Sequence, residues 1–356
     1  MAERIRIGVV YGGRSSEHPI SVLSAGSVLA ALDPAKYEVL TLGITRKGAW
    51  VRTDADPRQL QIAGSELPEV HSEGTEIVLR PGTSEAAVFA GSSALALLDT
   101  VDVVFPVLHG AYGEDGTIQG MLEMAGIPYV GPGVLASAVA MDKLFTKVVL
   151  EAAGLDVGEY VVLRRGDPVL AADIERLGLP VFVKPARGGS SVGISKVRSY
   201  ADLAEAVDLA LEHDSKVLIE AAVTGREIEC GVLQDADGTV SASLPAEIRL
   251  RPDVDWYSFE AKYLDDATDF DIPADVGERT VRAIQDAACR VFTALECSGL
   301  ARVDFFVTAA GTLIVNEVNT MPGFTPISMY PKMWAESGVP YPELIDRLVA
   351  TALARP

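Results

Sequence analysis

The 356-residue sequence predicts an α/β protein in which a parallel sheet comes first and an α+β half follows. Short apolar strands alternate with helical segments as far as residue 125, which is typical of a parallel sheet with crossover helices. Two glycine-rich breaks, Gly12–Glu17 and His109–Gly116, each follow such a strand, where a parallel sheet opens its ligand crevice. At roughly 150 residues per domain, the length allows two domains or three small ones, enough to close a cleft.

The N-terminal elements follow from their apolar patterns. Strands are predicted over Ile5–Tyr11, Tyr37–Ile44 and Val101–Leu108, and helices over Ile20–Leu32 and Ile118–Ala125. Residues 53–95 are rich in Pro, Gly and Glu and give no clear prediction. The run Pro128–Gly133 marks the first domain boundary.

A smaller unit with antiparallel strands is predicted next. One helix over Ala136–Ala153 leads into the strand Val181–Lys184, a glycine- and serine-rich loop, and the strand Lys216–Glu220. A third unit follows Gly225.

Long strands and one amphipathic helix characterise this third unit. The strands are predicted over Glu227–Leu233 and Ser241–Leu250. Apolar residues recur at helical spacing in the helix, which Gly299 is expected to end: Val281, Ile284, Ala288, Val291 and Leu295.

Composition excludes several classes of function. The 50 acidic and 30 basic residues give a formal net charge of −20, which argues against a nucleic-acid-binding surface. No apolar run of about 18 residues predicts a membrane span, and the N-terminus does not resemble a signal peptide. The odd number of cysteines, Cys230, Cys289 and Cys297, predicts free thiols in a reducing cytoplasm.

The final hairpin, Leu300–Val307 with Leu313–Asn319, carries the strongest chemical signal. If Ala310-Gly311 forms the turn, Asp304 faces Glu317 and Arg302 faces Asn319 on one face of the sheet. That face is expected to continue with the apolar residues Phe306, Leu313 and Val315. Facing carboxylates repel unless a cation lies between them, and oxygen ligands suit Mg²⁺ or Mn²⁺. The alternative is a solvated acidic hairpin end.

A second signal is Val181–Lys184 followed by Pro-Ala-Arg-Gly-Gly-Ser-Ser-Val-Gly. A buried strand delivers a lysine, and the small residues after it allow backbone N–H groups to surround an anion. Alone, this loop would be interpreted as a flexible hairpin turn. Together with the metal-type hairpin it indicates a triphosphate site.

These residues resemble a known family. The segments Lys184–Ser195, Arg302-Val-Asp304 and Asn316-Glu-Val-Asn319-Thr-Met-Pro-Gly-Phe are similar to the ATP-grasp superfamily. The segments Gly12-Gly-Arg-Ser-Ser-Glu17-His and His109-Gly-Ala-Tyr-Gly-Glu114-Asp-Gly narrow the resemblance to the D-alanine–D-alanine ligase family. It spans Ile5 to about Gly338.

The resemblance implies an N-terminal substrate domain (residues 1–133), a central ATP-grasp domain (134–224) and a C-terminal ATP-grasp domain with metal site and lid (225–356). It implies ATP-dependent joining of two D-alanine molecules through an acyl phosphate, with ADP and phosphate released, for peptidoglycan precursor synthesis. It also implies a cytoplasmic enzyme, commonly a homodimer.

The resemblance assigns site residues one by one. Metal ligands, for two Mg²⁺ or Mn²⁺ ions, would be Asp304, Glu317 and Asn319. Nucleotide-binding residues would be Lys143, Lys184, Ser190, Ser191, Glu220, Glu227, Lys262 and Asn316. Residues around the substrates and the reacting groups would be Glu17, His109, Glu114, Ser190, Tyr263, Arg302, Gly323 and Ser328.

Several of these residues have a structural alternative. Arg302 could form an ion pair with Asp304 or Glu317, and both roles are compatible. His109 could be a buried structural histidine, Glu220 a solvated strand end, and Glu17 a helix N-terminal acid favoured by the helix dipole.

Substrate choice depends on Trp256–Tyr263, which is interpreted as a mobile lid carrying Lys262 and Tyr263. Relatives that join D-lactate lack this Lys-Tyr pair, so D-alanine is predicted as the second substrate. The adenine-side stretch Glu220-Ala-Ala-Val223 lacks the aromatic residue of some relatives. Two other classes remain: a different ATP-dependent carboxylate–amine ligase, and a catalytically inactive nucleotide-binding protein.

Overall fold

The computed structural model describes residues 4–52, 56–59, 67–71, 75–77, 101–189, 192–251, 268–325 and 328–355. Its described strands form three sheets, one after another along the chain. The α/β prediction is confirmed.

The first sheet has the strand order β4-β3-β2-β1-β5. Its strands are β1 (Ile5–Gly12), β2 (Tyr37–Ile44), β3 (Trp50–Arg52), β4 (Thr75–Ile77) and β5 (Val103–Val107). β1 pairs in parallel with β2 and β5, as predicted. β3 and β4 extend the sheet in antiparallel fashion, so it is mixed rather than purely parallel. Helices α1 (His18–Ala31) and α2 (Thr117–Ala125) follow β1 and β5.

The single helix predicted over residues 136–153 is wrong, because the structure has two: α3 (Val134–Met141) and α4 (Lys143–Ala152). Asp142 between them is extended, and its carboxylate accepts hydrogen bonds from the backbone N–H groups of Leu144 and Phe145. Aspartate is a preferred N-cap residue, and here it starts a new helix within a continuous apolar pattern.

The second sheet is antiparallel, as predicted, with the order β6-β9-β7-β8. Its strands are β6 (Tyr160–Arg164), β7 (Val181–Pro185), β8 (Ser195–Val197) and β9 (Lys216–Ala221), with helices α5 (Ala171–Leu177) and α6 (Leu203–His213) between them. One face packs Val181, Val183, Val217 and Ile219 against these helices. Because side chains alternate along a strand, Lys184 and Glu220 lie on the opposite face.

The third sheet contains β10 (Arg226–Gln234), β11 (Val240–Ala242), β12 (Ala246–Leu250), β13 (Thr268–Asp271), β14 (Leu300–Val307) and β15 (Leu313–Asn319). The predicted strand 241–250 is wrong, because it is divided into β11 and β12, which both pair with β10. Between β11 and β12 the pairing with β10 is interrupted, because the backbone N–H of Gly231 donates to the Ser243 hydroxyl rather than to a backbone carbonyl. Pro245, which also lies between the two strands, has no N–H to donate. Helix α7 (Glu278–Ala294) buries Ile284, Ala288 and Val291 and ends before Gly299.

The predicted register of the β14–β15 hairpin is confirmed at the end that carries Arg302 and Asp304 and is wrong at the end near the turn. Asp304 pairs with Glu317 and Arg302 with Asn319, but the register then shifts by one residue, leaving Asn316 extra. This bulge turns Val315 and Leu313 to the core face, where they pack with the cluster around Phe305. The face of Asp304 therefore continues with Phe306 but not with Leu313 or Val315.

The C-terminal helices α8 (Met329–Glu336) and α9 (Tyr341–Leu353) share one apolar core with the first sheet. Leu344 and Leu348 of α9 pack in the same cluster as Ile7 and Val9 of β1. The three cysteines are free thiols, as predicted. Within the described residues, no helix combines the length and apolar character needed to cross a membrane.

Candidate active site

A buried cluster on the inner face of the second sheet brings two lysines to one carboxylate. Lys184 Nζ lies 2.9 Å from Glu220 Oε2, and Lys147 Nζ lies 3.5 Å from Glu220 Oε1. Burial raises the pKa of Glu220, but the two lysines outweigh it and the pKa is lowered overall. Burial likewise opposes the charge of Lys184, yet Glu220 raises the pKa of that ammonium. The carboxylate is therefore ionised and Lys184 is a cation, and Glu220 is not a solvated strand end.

The N-terminus of α4 is hydrogen-bonded to the glycine-rich loop that follows β7. The backbone N–H of Lys143 donates to Ala186 O at 2.9 Å, and Lys143 Nζ donates to Gly188 O at 2.7 Å. Asp142 anchors this junction by accepting from Lys216 Nζ at 2.7 Å. The predicted phosphate lysine Lys143 therefore lies beside the start of the predicted phosphate loop.

The end of the β14–β15 hairpin far from its turn carries a second charged cluster, here called the hairpin cluster. Arg302 donates to both oxygens of Asp304 at 2.7 Å, and its Nη2 lies 3.2 Å from Glu229 Oε1. The Asn319 amide donates to Asp304 Oδ2 at 3.1 Å. The structural ion pair considered from the sequence is thus present, and the facing carboxylates have the cation that they need.

Negative charge exceeds positive charge around Arg302. Burial opposes the charge of this guanidinium, but Asp304, Glu229 and Glu317 raise its pKa well above the usual value. Three carboxylates against one guanidinium leave a surplus of negative charge in a partly buried site, which suits added cations. No group of three or more His, Cys, Asp or Glu side chains in the described part of the chain has a metal-binding arrangement. The predicted ligand set instead combines two carboxylates with the amide oxygen of Asn319.

The lysine cluster and the hairpin cluster act on each other. Glu317 and Glu227 both raise the pKa of Lys184, so these side chains share one electrostatic environment. Glu227 pairs with Phe306 across β10 and β14. Lys184 of the second sheet therefore lies within electrostatic reach of Glu227 and Glu317 of the third sheet.

Two carboxylates from the first sheet's loops approach the same region. A Cβ atom added to Gly189 would lie 3.4 Å from Glu17 Oε1, so the glycine-rich loop reaches Glu17. Glu114 accepts hydrogen bonds from the backbone N–H groups of Gly110 and Met321. Desolvation raises the pKa of Glu114 to about 8, and the nearby Glu17 adds to the shift.

His109 is engaged at both ring nitrogens. Nδ1 lies 3.0 Å from the Met321 carbonyl oxygen, which can only accept, so Nδ1 donates there. Nε2 then accepts from the Ser24 hydroxyl at 3.0 Å. Burial lowers the pKa of His109 to about 4, so the ring is neutral at pH 7. These bonds fit the structural alternative and tie the first sheet to the loop after β15.

That loop folds back on itself around Gly323. A Cβ atom at Gly323 would lie 2.8 Å from Ser328 Oγ, so only glycine fits without displacing the serine. Ser328 Oγ accepts from the backbone N–H of Thr325 at 2.9 Å. The predicted oxyanion residue and the predicted substrate serine are therefore neighbours.

Four predicted site residues lie outside the described residues: Ser190, Ser191, Lys262 and Tyr263. The predicted nucleotide-binding residue Asn316 is described, and it is the extra residue of the bulge beside Glu317.

Sequence reasoning missed Lys147, Lys216 and Glu229. Lys147 follows Lys143 by four residues, which places both on one helix face. Lys216 lies on the same face of β9 as Glu220, four residues earlier. Glu229 of β10 pairs directly with Asp304 of β14, and it follows the predicted residue Glu227 by two positions on one strand face. These spacings were the available signals.

Comparison with known proteins agrees with this geometry. Residues 6–132 match the family model for the D-ala D-ala ligase N-terminus, and residues 149–350 match that for the C-terminus. The chain belongs to the D-alanine–D-alanine ligase family. A D-alanine–D-alanine ligase from Mycolicibacterium paratuberculosis is 56% identical over 363 residues, covering 99% of this chain and 98% of that protein.

Solved structures of the family agree as well. The D-alanine–D-alanine ligase from Coxiella burnetii superposes with a TM-score of 0.82 at 37% identity, covering 99% of this chain and 94% of that one. The VanG D-Ala:D-Ser ligase from Enterococcus faecalis has a TM-score of 0.78 at 32% identity, covering 98% and 100%. The recognition drawn from the sequence motifs is confirmed, and the fold is the one these ligases share.

Proposed function

We propose that this enzyme joins two molecules of D-alanine into D-alanyl-D-alanine with ATP, for peptidoglycan precursor synthesis. The observation that carries the proposal is that two charged clusters, one on the second sheet and one on the third, interact electrostatically in a chain that matches this ligase family from residue 6 to residue 350 with a short gap. One cluster, with Lys184 and Glu220, suits phosphates and a nucleoside. The other, with Arg302 and Asp304, suits a reacting carboxylate and cations.

ATP would lie between the second and third sheets. Lys143 and Lys184 would bind phosphate oxygens, because both are cations beside the glycine-rich loop. Glu220 and Glu227 would face the adenine and the ribose. Ser190, Ser191, Lys262 and Asn316 complete the proposed nucleotide set.

Asp304, Glu317 and Asn319 would hold the divalent cations, Mg²⁺ or Mn²⁺, and we propose two such ions. The fit rests on the oxygen donor set and on the surplus of negative charge around Arg302. When bound, divalent cations neutralise the charge of the transferring phosphoryl group.

The reaction is proposed in two steps. A carboxylate oxygen of the first D-alanine attacks the γ-phosphorus of ATP, and the bond to ADP breaks, giving an acyl phosphate. The amine of the second D-alanine attacks the acyl carbon and loses a proton, and phosphate leaves. Arg302 and the backbone N–H of Gly323 would stabilise the oxyanion.

Substrate positioning falls to the loops of all three sheets. Glu17 would bind the ammonium group of the first D-alanine, with Ser190 and Tyr263 closing over it. Ser328 would hold the carboxylate of the second D-alanine, beside Gly323. His109 and Glu114 would orient the site through Met321, which both contact.

The second substrate is proposed to be D-alanine rather than D-lactate, because the sequence keeps the Lys262-Tyr263 pair. We further propose a cytoplasmic homodimer without a nucleic-acid or membrane partner. The proposed domains remain 1–133, 134–224 and 225–356.

The test is phosphate release from ATP and Mg²⁺ in the presence of D-alanine, L-alanine, D-serine or D-lactate, with product identification. D-alanine alone should support rapid release together with dipeptide. Equal release with D-lactate or D-serine would contradict the acceptor assignment. Release with L-alanine would favour a different ATP-dependent carboxylate–amine ligase, and no release with any of the four would favour a nucleotide-binding protein.

A further inference from the structure

Lys147 is a buried lysine close to the proposed nucleotide site to which no role has been given. Its side chain is only 4% exposed, and its Nζ lies 3.5 Å from Glu220 Oε1. It donates to Gly158 O at 3.4 Å and lies 5.5 Å from the centroid of the Tyr160 ring. Burial lowers its pKa, while Glu220 opposes that shift. Burying a lysine this deeply is unfavourable unless the charge is used or compensated.

Glu220 is shared by two ammonium groups. Oε2 lies 2.9 Å from Lys184 Nζ, and Oε1 faces Lys147. The three side chains together carry a net charge of +1. Without Lys147, Glu220 and Lys184 would form a closed, neutral pair, and Lys184 would offer little net attraction to a phosphate.

We propose that Lys147 is a positioning residue for ATP: it compensates the charge of Glu220 and thereby leaves Lys184 electrostatically available to the phosphates. The inference rests on the proposed function, since it presumes that Lys184 binds ATP. Lys147 acts through Glu220 and Lys184 and need not touch the nucleotide.

The helix register supports this arrangement. Lys147 follows Lys143 by one helical turn on α4, so both lysines extend from the same side of the helix. Lys143 reaches the glycine-rich loop at Gly188, whereas Lys147 reaches the sheet at Glu220. One helix thus carries a lysine for the loop and a lysine for the carboxylate behind Lys184.

The experiment measures Kd for ATP, ADP and AMP by calorimetry on the full-length chain with Mg²⁺, comparing Lys147→Met with the unmodified protein. For one phosphate charge placed about 8–10 Å from the Lys147 ammonium, at an effective dielectric constant of about 20, removing the lysine charge corresponds to a roughly fifteen- to thirty-fold weaker Kd. The loss should be largest for ATP and smallest for AMP. Lys36→Met, which removes an exposed lysine paired with Asp346, is the matched control for global charge.

A second-site variant separates charge compensation from a purely structural role. Glu220→Gln added to Lys147→Met returns the cluster to a net charge of +1, so the ratio of the Kd for AMP to the Kd for ATP should recover. Taking the ratio cancels any change in contacts to the adenosine. Should Lys147→Met fail to fold, Glu220→Gln alone is informative, because a net charge of +2 should raise the same ratio.

The outcomes distinguish the two hypotheses. If the unmodified protein binds no ATP, the proposed function fails. If it binds ATP and Lys147→Met binds equally well, the role of Lys147 fails alone. An equal loss for all three nucleotides, without recovery in the double variant, would also overturn the inference, because it would indicate a structural role only.

Discussion

Phe324→Ala should destabilise the core that joins the first sheet to the C-terminal helices. The ring is fully buried and packs edge-on against Phe105, with centroids 5.8 Å apart. It also contacts the rings of Tyr330 and Tyr341 at 5.7 and 6.0 Å. Truncating a buried phenylalanine leaves a cavity and typically costs about 3–5 kcal/mol, and three lost ring contacts place this site near the upper end.

The same substitution should slow catalysis. Phe324 follows Gly323, and the peptide units on both sides of it are held, since its N–H donates to Ser24 Oγ at 3.3 Å and its carbonyl oxygen accepts from the Tyr341 hydroxyl at 2.9 Å. Loss of the ring should loosen this segment and lower kcat more than it changes the Kd for ATP.

Guanidinium denaturation followed by fluorescence and circular dichroism measures the free energy of unfolding, alongside steady-state kinetics. Met124→Ala is the control, because that side chain is 87% exposed and its removal should change stability by about 0.5 kcal/mol or less. A loss below about 1 kcal/mol for Phe324→Ala would refute the shared core.

Three further predictions concern single residues. Gly323→Ala should lower kcat/KM for the second D-alanine by about tenfold, because the added Cβ would meet Ser328 Oγ at 2.8 Å. Asp142→Ala should lower the free energy of unfolding by about 3–5 kcal/mol, because it leaves the buried Lys216 ammonium without this partner. His109 has a pKa of about 4 when folded and a usual value of 6.5, so the unfolded state binds the extra proton and stability should fall by roughly 3 kcal/mol as pH drops from 6.5 to 4.

Each has its own check. Because of the same steric conflict, Gly323→Ala should also lower the free energy of unfolding, and adding Ser328→Ala should recover part of that loss, so additive losses in stability would contradict the conflict. An Asp142→Asn variant should retain capping but not the ion pair, so it should recover only about 1 kcal/mol relative to Asp142→Ala, and full stability of the Asn variant would contradict the contribution of the ion pair. A His109→Gln variant should show a smaller loss of stability between pH 6.5 and 4 than the unmodified chain.

Local sequence patterns were sufficient to predict strand bounds and pairing where the residues that interact are close in sequence. The bounds of β2, β14 and β15 and the pairing of Asp304 with Glu317 follow from alternation and a five-residue turn. The bulge at Asn316 was not predictable in this way, because Leu313, Ile314 and Val315 are all apolar and their pattern does not fix which of them face the core. Asp142 was likewise hidden, since its capping role appears only when its carboxylate is seen to accept the next helix's N–H groups.

Long-range contacts account for the rest. Packing of α9 on the first sheet joins residues about 340 positions apart, and nothing in either segment indicates the other. The charge-sharing at Glu220 likewise combines β7, β9 and α4. Site chemistry was predicted by resemblance to a family, whereas the residues that support it required the fold.

The most direct test of the central claim counts products. Equal amounts of D-alanyl-D-alanine and ADP should form from D-alanine, ATP and Mg²⁺, and Glu317→Gln should abolish both while preserving the circular dichroism spectrum and the free energy of unfolding. ADP without dipeptide, or near-normal dipeptide formation by Glu317→Gln, would contradict the account.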